Sequence, residues 1–154
     1  MDNANLATRG KRLAGSIVDS CIMLSIVLPA AWAADIIQQI SEGKEMSILQ
    51  TVVFTLFGWS VFVGLNGHFL NRYGQTIGKR IVGTKIVTLD GKVPPLYNSI
   101  VLRYFAFGLI GYIPILGVAI QLADSLFIFR NDKRCLHDHL AETKVVNAEE
   151  ASKT

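Results

Sequence analysis

Charge is scarce in this chain: Asp, Glu, Lys and Arg make up 18% of its 154 residues, against about 25% in soluble domains. A soluble domain this small leaves roughly a third of its unfolded surface wet and would need more charge to cover it. Cysteine is scarcer still, with two residues, which excludes a disulfide-stapled scaffold. Cys21 falls inside an apolar run and Cys135 near the C-terminus, so no bond between them is expected. The glycines follow no collagen period, and there is no internal repeat, low-complexity stretch or linker to a second domain. The three histidines stand at no zinc spacing. Bases and aromatics are not interleaved, so the net charge of +3 and pI near 9.0 do not point to nucleic acid.

What is present is hydrophobic. Apolar residues reach 51% and mean hydropathy is +0.39, which excludes disorder and points to an integral membrane protein. A span needs about 20 mostly apolar residues. Leu13–Ala34 supplies 22, broken only by Asp19, and Ile48–Leu70 supplies 23 with no Asp, Glu, Lys or Arg. Ser99–Phe129 supplies 31, about 46 Å of straight helix, too long for one ordinary span across a core of about 30 Å. Gly111-Tyr112-Ile113-Pro114 in its middle marks a bend, because Pro lacks an N–H and disfavours helix just before it.

Charge sets the topology. Arg9, Lys11 and Arg12 precede the first span; Asp35, Glu42 and Glu45 with the single base Lys44 follow it. Arg72, Lys79, Arg80, Lys85 and Lys92 lie between Asn71 and Asn98, and Arg130, Lys133, Arg134 and Lys144 follow the last run. Basic loops stay in the cytoplasm, so both termini are inside and the 31-residue run crosses an even number of times. The expected fold is an all-α bundle of four transmembrane helices, about 13–34, 48–70, 95–111 and 114–130, the last two a tight hairpin. A re-entrant hairpin over 95–130 is the alternative. Residues 1–12 form a cytoplasmic N-terminal segment, 71–94 a cytoplasmic loop and 147–154 a loose tail. The basic start and Ala31-Trp32-Ala33 resemble a cleavable signal, but Asp19 interrupts the apolar region and further spans follow, so cleavage is not expected.

Outside the bilayer, Lys85-Ile86-Val87-Thr88-Leu89 alternates and Asp90-Gly91 signals a turn, predicting a strand with a return to Val93. Thr143–Val146 reads as another strand, and the pieces should pair as a small cytoplasmic β element. Ile77 and Ile81 could be one face of a short interfacial helix. Gly74-Gln75-Thr76-Ile77-Gly78-Lys79-Arg80 has one residue too few between its glycines, and Arg after its Lys, for a phosphate loop. His137-Asp138-His139 cannot converge on one ion. Asp138 should cap or pair there, and no metal or cofactor is expected.

Intramembrane charge is the informative feature. Counted from the inner face, Asp19, Asn66, Arg103 and Asp124 fall at one depth, with Arg12 one step below. Buried charge must pair, so Asp124 should meet Arg103, and Asp19 should meet Arg12 or Arg103. The pairs could fix helix register, or a carboxylate could exchange H⁺ or Na⁺ on a transport path.

These residues together resemble the RDD family of small bacterial membrane proteins, named for one Arg and two Asp. The resemblance covers about 7–146 and rests on Arg12-Leu-Ala with Asp19, the Gly74–Arg80 motif followed by Lys85-Ile-Val87 and Asp90-Gly91, Arg103, Asp124, and Leu136-His137-Asp138 with Ala141, Thr143, Val145 and Val146. By position the Arg is Arg12 and the first Asp is Asp19; the second is Asp124 or Asp138. The resemblance implies a polytopic protein of the bacterial inner membrane with a role in transport, sodium/proton exchange included. The expected function is a transporter or transporter subunit, not an enzyme, linked to H⁺ or Na⁺ through Asp19 and Asp124, with Arg12, Arg103 and Asn66 beside them. The alternative is a non-transporting scaffold or assembly protein with a basic cytoplasmic face. The expected partners are the lipid bilayer and either further copies of the chain or another membrane protein. Ala30/Ala34 and Ala119/Ala123 are small-residue pairs that permit close helix contact.

Overall fold

The computed structural model describes residues 6–110, 116–130 and 133–148. Two long helices dominate it, α1 (Arg9–Ala33) and α3 (Ile48–Tyr73), joined through the short α2 (Ile36–Ser41). Each long helix starts at a hydroxyl cap. Thr8 accepts from the Lys11 N–H, and Ser47 accepts from Gln50 while the Gln50 side chain returns to the Ser47 N–H. That reciprocal box satisfies donors the first helical turn leaves orphaned. Both helices are long and apolar enough to cross a membrane, and only 6% and 0% of their most apolar windows are buried. They are therefore not core helices of a soluble domain. Leu13, Leu24, Val52, Leu56 and their neighbours are exposed on a scale that needs lipid or protein to cover it.

The chain then folds back in short pieces. Gly74 ends α3 at φ +64°; a side chain there would run into the Ile86 carbonyl, which is why the tight stop is a glycine. Helix α4 (Ile77–Ile81) leads into β1 (Thr84–Thr88). The turn expected at Asp90-Gly91 forms, with Thr88 N–H on the Lys92 carbonyl at 2.8 Å, but no strand follows it at Val93; β1 pairs antiparallel with the distant β2 (Thr143–Asn147), the second strand the sequence predicts, from Thr84↔Asn147 to Thr88↔Thr143. The N-terminus adds to the free side of β2 through Ala7 N–H to Val145 O, 3.0 Å.

A π-helical segment (Asn98–Phe105) runs into α5 (Ala106–Ile110); α6 (Leu116–Leu126) packs against α5 and ends in a 3₁₀ turn (Phe127–Phe129). The predicted bend at Gly111–Pro114 lies outside the described residues. Helix α7 (Leu136–Leu140) returns under the π-helical segment and α6. The Arg9 guanidinium donates to the carbonyls of Ile128 and Phe129, both at 3.1 Å, so the start of α1 and the end of the last apolar helix sit side by side. The sheet, α4 and α7 thus form a cap at one end of the long helices. The buried core lies in this cap: Ala7, Leu70, Ile86 and Val145, with Phe62, Ile100 and Tyr104 against them.

Candidate functional site

The charged residues singled out along the sequence gather at the cap end, but in three clusters rather than one layer. The first surrounds the N-terminus of α4, whose leading N–H groups have no partner within the helix. Three side chains supply one, from α1, from α3 and from the residue that opens α4. Asn66 Oδ1 accepts from Ile77 N–H (2.9 Å), Asp19 Oδ1 from Gly78 N–H (2.7 Å) and Thr76 Oγ1 from Lys79 N–H (3.3 Å). The Thr76 hydroxyl also donates to Asp19 Oδ2 at 2.5 Å. The expected pairing of Asp19 with Arg12 or Arg103 is therefore replaced by two neutral donors. The approach is close enough that a Cβ on Gly78 would overlap the Gly15 carbonyl.

The rest of that motif is structural as well. Gln75 Nε2 donates to Thr84 O at 2.8 Å, and the buried Lys79 ammonium donates to the Tyr104 hydroxyl at 3.2 Å. Gly74, Gln75, Thr76, Gly78 and Lys79 together weld α3, α4 and β1 to the neighbouring helices.

The second cluster centres on Asp138, whose side chain has no exposed surface. Arg12 from α1 pairs with Oδ2 and Arg103 from the π-helical segment with Oδ1. Oδ2 also accepts the Cys135 N–H at 3.1 Å, Arg103 reaches the Thr143 hydroxyl at 2.8 Å, and Arg12 donates to the Lys133 carbonyl. Burial alone would raise the Asp138 carboxyl. The charges of Arg103 and Arg12 outweigh it and hold the group well below the ordinary carboxylate range. Asp138, not Asp124, is the acid that both arginines share.

The third cluster holds Asp124. It meets His137 instead of Arg103: Oδ1 accepts the His137 backbone N–H at 2.9 Å and Oδ2 lies 2.7 Å from Nδ1. Burial, then the charge of Arg103, lowers the His137 pKa, so the ring is neutral and donates its Nδ1–H as a hydrogen bond to the carboxylate. Unlike Asp138, this pair retains exposure, 22% for His137 and 14% for Asp124. Cys135 stands beside it, its Sγ 3.6 Å from Arg12 Nη2. Burial pushes that thiol up to about 11. Asp124, Cys135 and His137 each present a donor atom within 4.8 Å of the others.

Sequence reading found Asp19, Asn66, Arg12, Arg103, Asp124 and Asp138 but missed Thr76 as the partner of Asp19. It also missed Cys135 and His137 as neighbours of Asp124. A hydroxyl opening a short helix was the available signal for Thr76. Nothing local announces the other two, because α6 and α7 meet only in the tertiary fold.

The RDD family model matches residues 6–142. A stretch of 75 residues is 40% identical to "Uncharacterized protein YckC" of Bacillus subtilis (strain 168). The match spans about half of each chain, 49% of this one and 48% of that relative. No solved structure matches.

Proposed function

The chain belongs to the RDD family, and from that premise we propose a multi-pass protein of the bacterial inner membrane that acts as a transporter or transporter subunit linked to H⁺. The observation that carries this is the partly exposed Asp124–His137 pair at the foot of an apolar helix. Asp138 is saturated by two guanidiniums, and Asp19 is filled by donors from Thr76 and Gly78. Asp124 is the intramembrane carboxylate coupled to an imidazole, whose two ring nitrogens can take up a proton on one side and give one up on the other. A proton fits this arrangement better than Na⁺, which wants a shell of oxygen ligands. The reading is one of passage, not catalysis.

The topology belongs to the same reading. The cap carries the basic segments, so it faces the cytoplasm with both termini. The apolar segments Asn98–Ile110 and Gly117–Phe129 are each about 20 Å long at helical rise. They cross as a hairpin by drawing on flanking interfacial residues. Four helices hardly make the two rocking halves that secondary transporters use, so further copies or a membrane-protein partner complete the machine.

The test is flux in liposomes carrying a pH or Na⁺ gradient with a fluorescent reporter. Proton flux that falls to background in Asp124→Asn and His137→Asn, with both proteins monodisperse, supports transport. A scaffold is the second reading, favoured by the way Arg12, Arg103 and Asp138 spend their charges on one another. Silence from well-folded protein, together with one constant co-purifying membrane protein, selects it.

A further inference from the structure

We propose that Asp124, Cys135 and His137 form a binding site for a divalent transition metal of the zinc class, with a fourth position open. Their donor set is one carboxylate oxygen, one sulfur and one imidazole nitrogen, the mixture that suits a borderline-soft ion. The three donor atoms lie within 4.8 Å of one another. Ligands at zinc bond lengths of about 2.0–2.3 Å sit somewhat closer than that, so small rotamer adjustments suffice.

Two further features fit an ion. His137 Nδ1 and Asp124 Oδ2 face each other at 2.7 Å across a single proton, and a cation can take that proton's place as the two atoms move apart. The other ring nitrogen, Nε2, then lies 3.6 Å from Asp138 Oδ1. A metal-bound histidine characteristically gives its second N–H to a carboxylate, which fixes the ring and strengthens the bond. Asp138 is held in place for this by Arg12 and Arg103.

Charge permits the ion. Asp124 and Asp138 offset the charges of Arg12 and Arg103 beside the three donors. Binding removes the Cys135 thiol proton and moves the ring proton from Nδ1 to Nε2, so one proton leaves as one divalent cation enters and the site gains one positive charge. Arg12 Nη2, already 3.6 Å from the sulfur, then donates to a thiolate. Asp124 and His137 both reach the surface, which gives the ion an entry path.

The site does not depend on transport, so binding is measured at equilibrium in detergent on the full chain. A Cys21→Ser background leaves Cys135 as the single thiol, and chelator-treated protein is titrated with Co²⁺. The expected result is one equivalent bound, with a thiolate-to-cobalt charge-transfer band and tetrahedral d–d bands that Zn²⁺ abolishes. Cys135→Ser should lose the charge-transfer band, and His137→Ala and Asp124→Asn should each weaken binding at least about tenfold. Monodisperse protein with no thiolate band, or unchanged Co²⁺ affinity in His137→Ala, overturns the proposal. Should the variants not fold, the thermal unfolding midpoint of the chelator-treated Cys21→Ser chain decides: Zn²⁺ should raise it, as any ligand that binds only the folded state does, and an unchanged midpoint rejects the site. A protein that binds Co²⁺ this way yet shows no flux keeps the metal site and loses the transport reading.

Discussion

A carboxylate without exposed surface keeps its charge only among cations, and Asp138 has two. Arg12 arrives from the start of α1 and Arg103 from the π-helical segment, more than ninety positions away in sequence. Removing the acid leaves both guanidiniums buried beside each other with their countercharge gone. Breaking a buried pair by deleting one partner costs about 3–5 kcal/mol, and here the survivors also repel. Asp138→Asn should therefore lower the thermal unfolding midpoint of the purified protein sharply, while exposed Asp90→Asn leaves it unchanged. Equal midpoints for the two variants would show that Asp138 does not hold the cap together. That these charges gather at one end of the helices was legible in the sequence, because helical rise converts residue count into position along the axis. Partner choice was not. It depends on the direction each side chain takes around its helix and on α7 folding back, which is why Asp124 and Arg103, level by count, meet different groups.

Short elements, not the long helices, do the locking. Helix α4 is five residues long and would not persist alone; Asp19 from α1, Asn66 from α3 and its own opening residue Thr76 cap it. The fit leaves no room at Gly78, where an added Cβ would overlap the Gly15 carbonyl and stand 2.8 Å from the Asp19 carboxyl carbon. Overpacking typically costs about 1–3 kcal/mol, and here the obstacle is backbone that cannot rotate away. Gly78→Ala should destabilise by at least that much. Gly10→Ala, with nothing within 4 Å, should be neutral or stabilising by up to about 1 kcal/mol. Thermal unfolding of both variants checks the contrast, and matched behaviour would refute the close contact. The two long helices were readable because twenty apolar residues in a row admit few alternatives. The Lys85–Leu89 alternation likewise identified a strand. Thr143–Val146 was legible as a second strand in the same way and supplies its partner, with five paired residues and the cover of Leu70 and Ala7; Asp90-Gly91, a strong local hairpin signal, makes a turn with no strand after it.

At the scale of the whole molecule the cap gives the chain two unlike ends. One carries the sheet, α4, α7 and the ion clusters; the other carries α2, where Glu42 pairs with Lys44 at 2.7 Å beside Asp35 and Glu45. The cap end is the basic one, and positive segments are retained in the cytoplasm. Single cysteines in a Cys21→Ser background test this with an impermeant thiol reagent on intact cells. Cys135 is buried at the cap and stays silent. Gly43→Cys, in the α2 loop, should label, and Lys92→Cys, in the cap, should label only after the membrane is opened. Ile110→Cys reports on the hairpin. If the segments Asn98–Ile110 and Gly117–Phe129 cross fully, Ile110→Cys reacts from outside. If they dip into the bilayer and return, it is protected, since at about 20 Å each they end within the hydrocarbon. Labelling of Lys92→Cys on intact cells would invert the whole arrangement and move the Asp124–His137 pair to the outer face.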